Sequence, residues 1–159
     1  YVFIQFGHND ESKQKVERYT SVEDFKKNLT FFVNKTIEKN GIPVLLSPVS
    51  RRSFDSTGHV VETHKEYTEA VQQVAIAEKV AFIDLDKKSR ELYQQMGPEY
   101  SKLLFNWLSQ DEHPNYPEGK KDNTHFNELG ARKIAQLILQ EIKTLQLPLK
   151  DKIIKPKTK

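Results

Sequence analysis

Hydrophobic positions along the chain alternate between two kinds of run. Tyr1-Val2-Phe3-Ile4-Gln5-Phe6 is a near-continuous aromatic and β-branched stretch closed by Gly7. Such a stretch suits a strand covered on both faces, as in parallel sheets. Val44-Leu45-Leu46, set between Pro43 and Pro48, and Val80-Ala81-Phe82-Ile83-Asp84-Leu85 repeat the pattern. Three interior strands are predicted. Between them the apolar spacing becomes helical. Ser21 can cap a helix, with Asp24 in the capping-box position, and Phe25, Leu29, Phe32, Val33 and Ile37 follow on one face until Asn40-Gly41. A second helix is predicted over about Lys65–Lys79, with Tyr67, Ala70, Val71, Val74 and Ala75 buried. Shorter helices are expected at Lys87–Gln95 and around Pro98–Leu108. Asn127 can cap a last helix through Leu145, carrying Leu129, Ile134, Leu137, Ile138 and Ile142.

Strands alternating with helices of this length argue for right-handed βαβ units and a parallel α/β sheet. Three strands are few for a doubly wound fold. Tyr1–Phe6 would also make a strongly apolar sheet edge, which proteins avoid. One or two further strands are therefore expected upstream of Tyr1, and this chain is read as the C-terminal portion of a longer domain.

The 159 residues fit one domain, with 36% hydrophobic and 30% charged positions. No apolar stretch approaches the roughly 20 residues of a membrane span. The net charge of +3 resides in the tail, where Lys150–Lys159 holds five lysines and one aspartate. Residues 1–147 are thus read as the domain and 148–159 as a basic, solvated tail. No basic face remains to argue for nucleic acid. The absence of cysteine removes disulfides and a thiol nucleophile.

In parallel α/β sheets, ligands bind beyond the carboxyl ends of the strands. The residues after the three strands are Gly7-His8-Asn9-Asp10, Ser47–Phe54 with Arg51-Arg52, and Asp86-Lys87. A fourth polar segment, Asp122-Asn123-Thr124-His125, is expected in a long loop before the last helix. An aspartate three residues before a histidine can accept the imidazole Nδ1–H and leave Nε2 as a general base. The same spacing also arises in solvated loops, so the motif alone leaves both readings open.

Taken together, these segments resemble the SGNH (GDSL-type) hydrolases. The stretches Phe3–Asp10, Pro48–Arg52 and Asp122–Ala131 are similar to the rhamnogalacturonan acetylesterase branch. The resemblance covers about residues 1–145 and implies a three-layer, flavodoxin-like α/β fold. It also implies a serine esterase that removes acetyl groups from acetylated pectin (rhamnogalacturonan), without metal or organic cofactor. By the resemblance, Asn9 lines the oxyanion hole, and Asp122 and His125 are the acid and base of a catalytic triad. The family's Gly-Asp-Ser nucleophile segment and a second oxyanion donor are not found in these residues. The nucleophile is expected upstream of Tyr1, and this chain alone is expected to be inactive. An extracellular or periplasmic location follows from the resemblance only.

Weaker candidates complete the reading. Arg51 and Arg52, on the predicted rim, could grip a galacturonate carboxylate. His8 is expected to point away from the rim or pack. His64, His113 and His125 with nearby acids lack zinc-ligand spacing, so no metal site is predicted. Tyr93, Tyr100, Phe105, Trp107 and Tyr116 could stack on sugar rings, but those on helices are expected to pack in the core, and Pro114–Lys121 is expected as a mobile insertion. The alternative function is a non-catalytic carbohydrate- or partner-binding module that keeps the fold and rim. The chain gives no indication of oligomeric state.

Overall fold

The computed structural model describes residues 1–154. Strands β1 (Val2–Gln5), β2 (Pro43–Leu46) and β3 (Ala81–Ile83) form a parallel sheet in that order. Helix α1 (Val22–Glu38) joins β1 to β2, and α2 (Lys65–Glu78) joins β2 to β3. Ile4 pairs with Leu45, and Leu45 with Phe82. Because side chains alternate across a strand, Ile4 and Leu45 meet α1 and α2, while Val44, Leu46 and Ile83 face Ile134. Ile134 belongs to α4 (Glu128–Thr144), so the sheet lies between two helical layers. The three-layer α/β arrangement is the one expected.

Local signals placed most of these elements. Ser21 Oγ accepts the Asp24 amide at 3.2 Å and donates to its carboxylate at 2.8 Å, closing the start of α1. The buried face of α1 is narrower than predicted. Phe25, Leu29 and Val33 are buried, but Phe32 and Ile37 are 45% and 49% exposed. Phe25, Leu29 and Val33 meet Ile4 and the buried face of α2, while Phe32 lies against Phe6, which is itself 48% exposed among the described residues. Leu129, also expected inside, is 46% exposed on the first turn of α4.

The region after β3 departs furthest from expectation. Helix α3 (Leu85–Tyr100) is longer than predicted, and Gly97, at φ 71° and ψ 175°, breaks its helical backbone before Pro98. The helix expected around Pro98–Leu108 is present only to Leu104, as the helical turn after Gly97 and the 3₁₀ turn that follows it. Ser101–Leu104 is a 3₁₀ turn, and β4 (Phe105–Leu108) pairs antiparallel with β5 (Lys120–Phe126). The Pro114–Lys121 stretch is mostly the turn of that hairpin, closed by Tyr116 N–H on His113 O and Gly119 N–H on Tyr116 O, both 2.9 Å. Tyr93, Leu104 and Phe105 bury the hairpin against α3.

Asn127 ties the hairpin to α4. Its Oδ1 accepts the Gly130 amide at 3.0 Å, and its Nδ2 donates to Leu103 O and Phe105 O at 2.9 and 3.0 Å. In the basic tail, Pro148–Lys152 forms a 3₁₀ turn, and residues 155–159 lie outside the described residues.

Candidate active site

The loop after β1 begins at Gly7, whose φ of 107° excludes most side chains. A Cβ there would also stand 2.9 Å from Pro48 Cγ, so β1 and β2 approach closely at this end. Asp10 accepts the Gly7 amide at 3.0 Å, and the Tyr67 hydroxyl donates to the Thr20 and Asp10 carbonyls. These contacts fold residues 7–20 over the ends of the strands.

That loop, the β2–α2 connection and β5 enclose a cleft of about 620 Å³. Asn9, Arg51, Asp122 and His125 all line it, so four of the five predicted site residues converge. Lys15 and Arg18 join them from the loop after β1, which gives the cleft a cationic rim. Their charges were visible in the sequence, but only the fold of the loop turns them toward the site.

Asp122 and His125 sit in a strand, not in the loop expected. The polar composition of Lys120–Phe126 hid an alternating, half-buried pattern. Phe105 pairs with Phe126 and Trp107 with Lys121, so the four residues Asp122–His125 stand opposite Asn106 alone. This wide bulge curls around Asp122. Its Oδ1 accepts the Thr124 and His125 amides at 2.8 and 2.9 Å, and its Oδ2 lies 2.9 Å from His125 Nδ1. Burial pushes the Asp122 carboxyl up. The two amides, the imidazole and the Lys120 ammonium 3.2 Å away outweigh burial and hold it well below the usual carboxylate range. An ionised Asp122 selects the Nδ1–H tautomer, leaving Nε2 available. The imidazole itself is 74% exposed, open to a ligand in the cleft.

The two arginines part company. Arg51 Nη1 donates to Thr124 Oγ1 at 2.9 Å, and Nη2 reaches His8 Nδ1 at 3.3 Å, so Arg51 spans the cleft floor between β5 and the loop after β1. Arg52 does not line the cleft. It is 8% exposed, and its guanidinium is taken up by Ser101 Oγ, Pro98 O and Asn123 Oδ1. Consecutive residues of this extended connection face opposite ways, so only one of them can reach the rim.

Residues 1–133 match the GDSL-like lipase/acylhydrolase family. The chain belongs to that family. It is 44% identical over 154 residues to rhamnogalacturonan acetylesterase RhgT of Bacillus subtilis (strain 168), covering 97% of this chain and 65% of RhgT. The probable rhamnogalacturonan acetylesterase YesY of the same organism is 36% identical over 156 residues, or 98% of this chain and 67% of YesY. This GDSL-like chain thus spans about two thirds of the length of these relatives. Among solved structures, B. subtilis YxiM superposes with a TM-score of 0.74 at 24% identity, over 92% of this chain and 37% of YxiM. The acetyl xylan esterase AlAXEase superposes with a TM-score of 0.64 at 17% identity, over 88% of this chain and 65% of that one. These two likenesses speak for the fold alone.

Beside the cleft of this GDSL-like domain lies a cluster that sequence reasoning did not anticipate. His8 lines the cleft rather than pointing away, and it packs, as the other expectation had it: its ring lies 4.4 Å from that of His64. His64 is 1% exposed, with Glu11 Oε1 2.9 Å from Nδ1 but without the alignment of a hydrogen bond. Burial, with Arg51 nearby, pushes both imidazoles down to about 4; for His8 the neighbouring His64 adds to the effect. Burial also pushes the Glu11 carboxyl up. Among the described residues, no group of three or more acidic or histidine side chains is disposed to hold a metal ion.

The two depressed histidines carry a prediction. Between pH 6.5 and about 4 the unfolded chain binds protons that the folded chain refuses. Stability is therefore full above pH 6.5 and falls as pH drops toward 4, with uptake on unfolding approaching about two protons from this pair. Urea midpoints across that range measure it, and His8→Gln should remove about half of the pair's slope. A flat profile, or one unchanged by His8→Gln, would refute the assignment.

Proposed function

We propose that this chain carries the acid–base half of a serine-type carbohydrate acetylesterase that acts on acetylated pectin. The observation that carries the reading is the Asp122–His125 pair, 2.9 Å apart, in the same cleft as Asn9. Two relatives named as rhamnogalacturonan acetylesterases, at 44% and 36% identity, support the substrate class. The Lys15, Arg18 and Arg51 side chains suit a polyuronate, and in this reading Arg51 also grips a galacturonate carboxylate.

In the proposed mechanism a serine hydroxyl from outside these residues attacks the acetyl carbonyl, and His125 Nε2 takes its proton. The Asn9 amide donates to the oxygen that becomes negative in the tetrahedral intermediate. Collapse breaks the bond to the sugar oxygen, which leaves with the proton held on Nε2, and the acetyl group stays on the serine. Water then attacks with the same histidine as base, and acetic acid and the free serine are released. Asp122, ionised throughout, stabilises the imidazolium. Pectin is a wall polymer too large to cross a membrane unaided, so the proposed site of action is extracellular or periplasmic.

The test is the intact mass of the natural protein before and after a fluorophosphonate serine probe, with acetate release from acetylated rhamnogalacturonan measured beside it. One stoichiometric adduct that abolishes acetate release supports the proposal. Glycan binding with neither adduct nor acetate would overturn it in favour of a binding module.

A further inference from the structure

Asp122 and His125 lie in a stretch of β5 that β4 does not hold. Four residues face Asn106 alone, so the ladder supplies little to fix their backbone. Bulges re-aim side chains, but the extra residues lose their cross-strand partners. What replaces those partners comes from the β2–α2 connection. Arg52 donates its main-chain N–H to Asn123 O at 2.9 Å and its Nη1 to Asn123 Oδ1 at 2.8 Å. Trp107 Nε1 donates to the same Oδ1 at 3.0 Å. Asn123, the bulge residue next to Asp122, is thus held by its main chain and its side chain, from two different elements.

Arg52 is an unusual group to find there. It is 8% exposed, and among the described residues no ion pair includes it. A buried cation without a carboxylate is costly unless its N–H groups are satisfied. Nε donates to Ser101 Oγ at 2.9 Å and Nη2 to Pro98 O, while the Phe54 and Trp107 rings lie 5.5 and 5.4 Å from Cζ. Two N–H directions, with the rings on its face, thus fix the plane of the guanidinium before Nη1 meets Asn123. A planar fork can hold that geometry; a lysine ammonium cannot.

We propose that Arg52 is a positioning residue. It acts through Asn123 to set the bulge, and so the tautomer and aim of His125, without touching substrate. The inference rests on the reading of Asp122 and His125 as the acid–base pair, but its primary test requires no turnover.

The readout is the His125 ring in ¹⁵N–¹H correlation spectra of the natural protein, with melting temperature measured alongside. The wild type should give one tautomer, with a protected Nδ1–H bonded to Asp122. Asn123→Ala should lose that protected proton and average the two ring nitrogens while the chain remains folded. Asn123→Asp, which keeps the acceptor, should restore the signature. Arg52→Lys, which keeps the charge and loses the fork, should not. If Asn123→Ala fails to fold, Trp107→Phe, which keeps the ring and removes one donor, should weaken the same signal. An unchanged His125 signature in folded Asn123→Ala and Arg52→Lys overturns the proposal, whatever their melting temperatures. In the natural protein, kcat for acetate release should fall about 10–100-fold in these two variants with KM within about threefold. A rise in KM alone would instead make Arg52 a substrate contact. Should His125→Ala leave turnover intact, the acid–base reading fails, and the spectra still decide whether Arg52 sets the bulge.

Discussion

Replacing His125 with alanine is expected to reduce acetate release by about 10⁴-fold or more, with folding unaffected. The size follows from the role. In the proposed mechanism Nε2 accepts the serine proton and returns it to the leaving sugar oxygen, so its removal forfeits about 5.5 kcal/mol of barrier lowering for a 10⁴-fold effect. Stability should barely move, because the imidazole is 74% exposed and its partner Asp122 keeps two backbone amides. Asp122→Asn should cost a similar factor in rate by a different route. An amide no longer selects the Nδ1–H tautomer, and Lys120 loses its counter-charge 3.2 Å away. Steady-state kinetics on natural protein and variants, with circular dichroism as the folding control, checks both. A loss smaller than tenfold for His125→Ala would remove it from the chemistry.

Gly130→Ala should be the most damaging single methyl group in the structure, costing about 3 kcal/mol or more of stability. Gly130 lies in the first turn of α4, where alanine would ordinarily gain about 1 kcal/mol in helix propensity. Sterics reverse the sign. The new Cβ would stand 2.0 Å from Leu104 O and 2.7 Å from Phe126 Cδ1. Leu104 O is itself fixed, since it accepts the Asn127 amide at 3.1 Å. Relief therefore requires α4 to move away from the β4–β5 hairpin, which carries the Asp122–His125 bulge. Urea unfolding should show a lower midpoint, and the His125 ring signals should shift with it. A variant as stable as the wild type would mean that the helix and hairpin are not packed this closely.

Much of this was legible in the chain because its causes are local. The three apolar runs became β1, β2 and β3, since a strand buried on both faces needs no alternation. Ser21 and Asn127 capped the helices they were expected to cap, because a cap is a contact across three residues. The Asp122–His125 contact has the same local character, with the partners three positions apart. The strand that carries it is not local, however. Polar residues concealed β5, whose pairing with β4 is set by aromatic packing of Phe105 and Phe126 at a centroid distance of 4.8 Å.

Tertiary structure alone decided the rest. Phe32 and Ile37 have the spacing of core residues, yet what lies opposite them decides burial, and Phe32 meets only the exposed Phe6 and Phe31 rings. Arg51 and Arg52 are neighbours of identical chemistry. One faces the cleft and the other is buried against Asn123, 71 positions away. Periodicity and capping are written by residues within about one helical turn of each other, so sequence determined the three parallel strands, the capped helices and the Asp–His contact. The cleft, the bulge and the fate of each arginine depend on contacts between distant segments, whose free energies are realised only once the layers have packed.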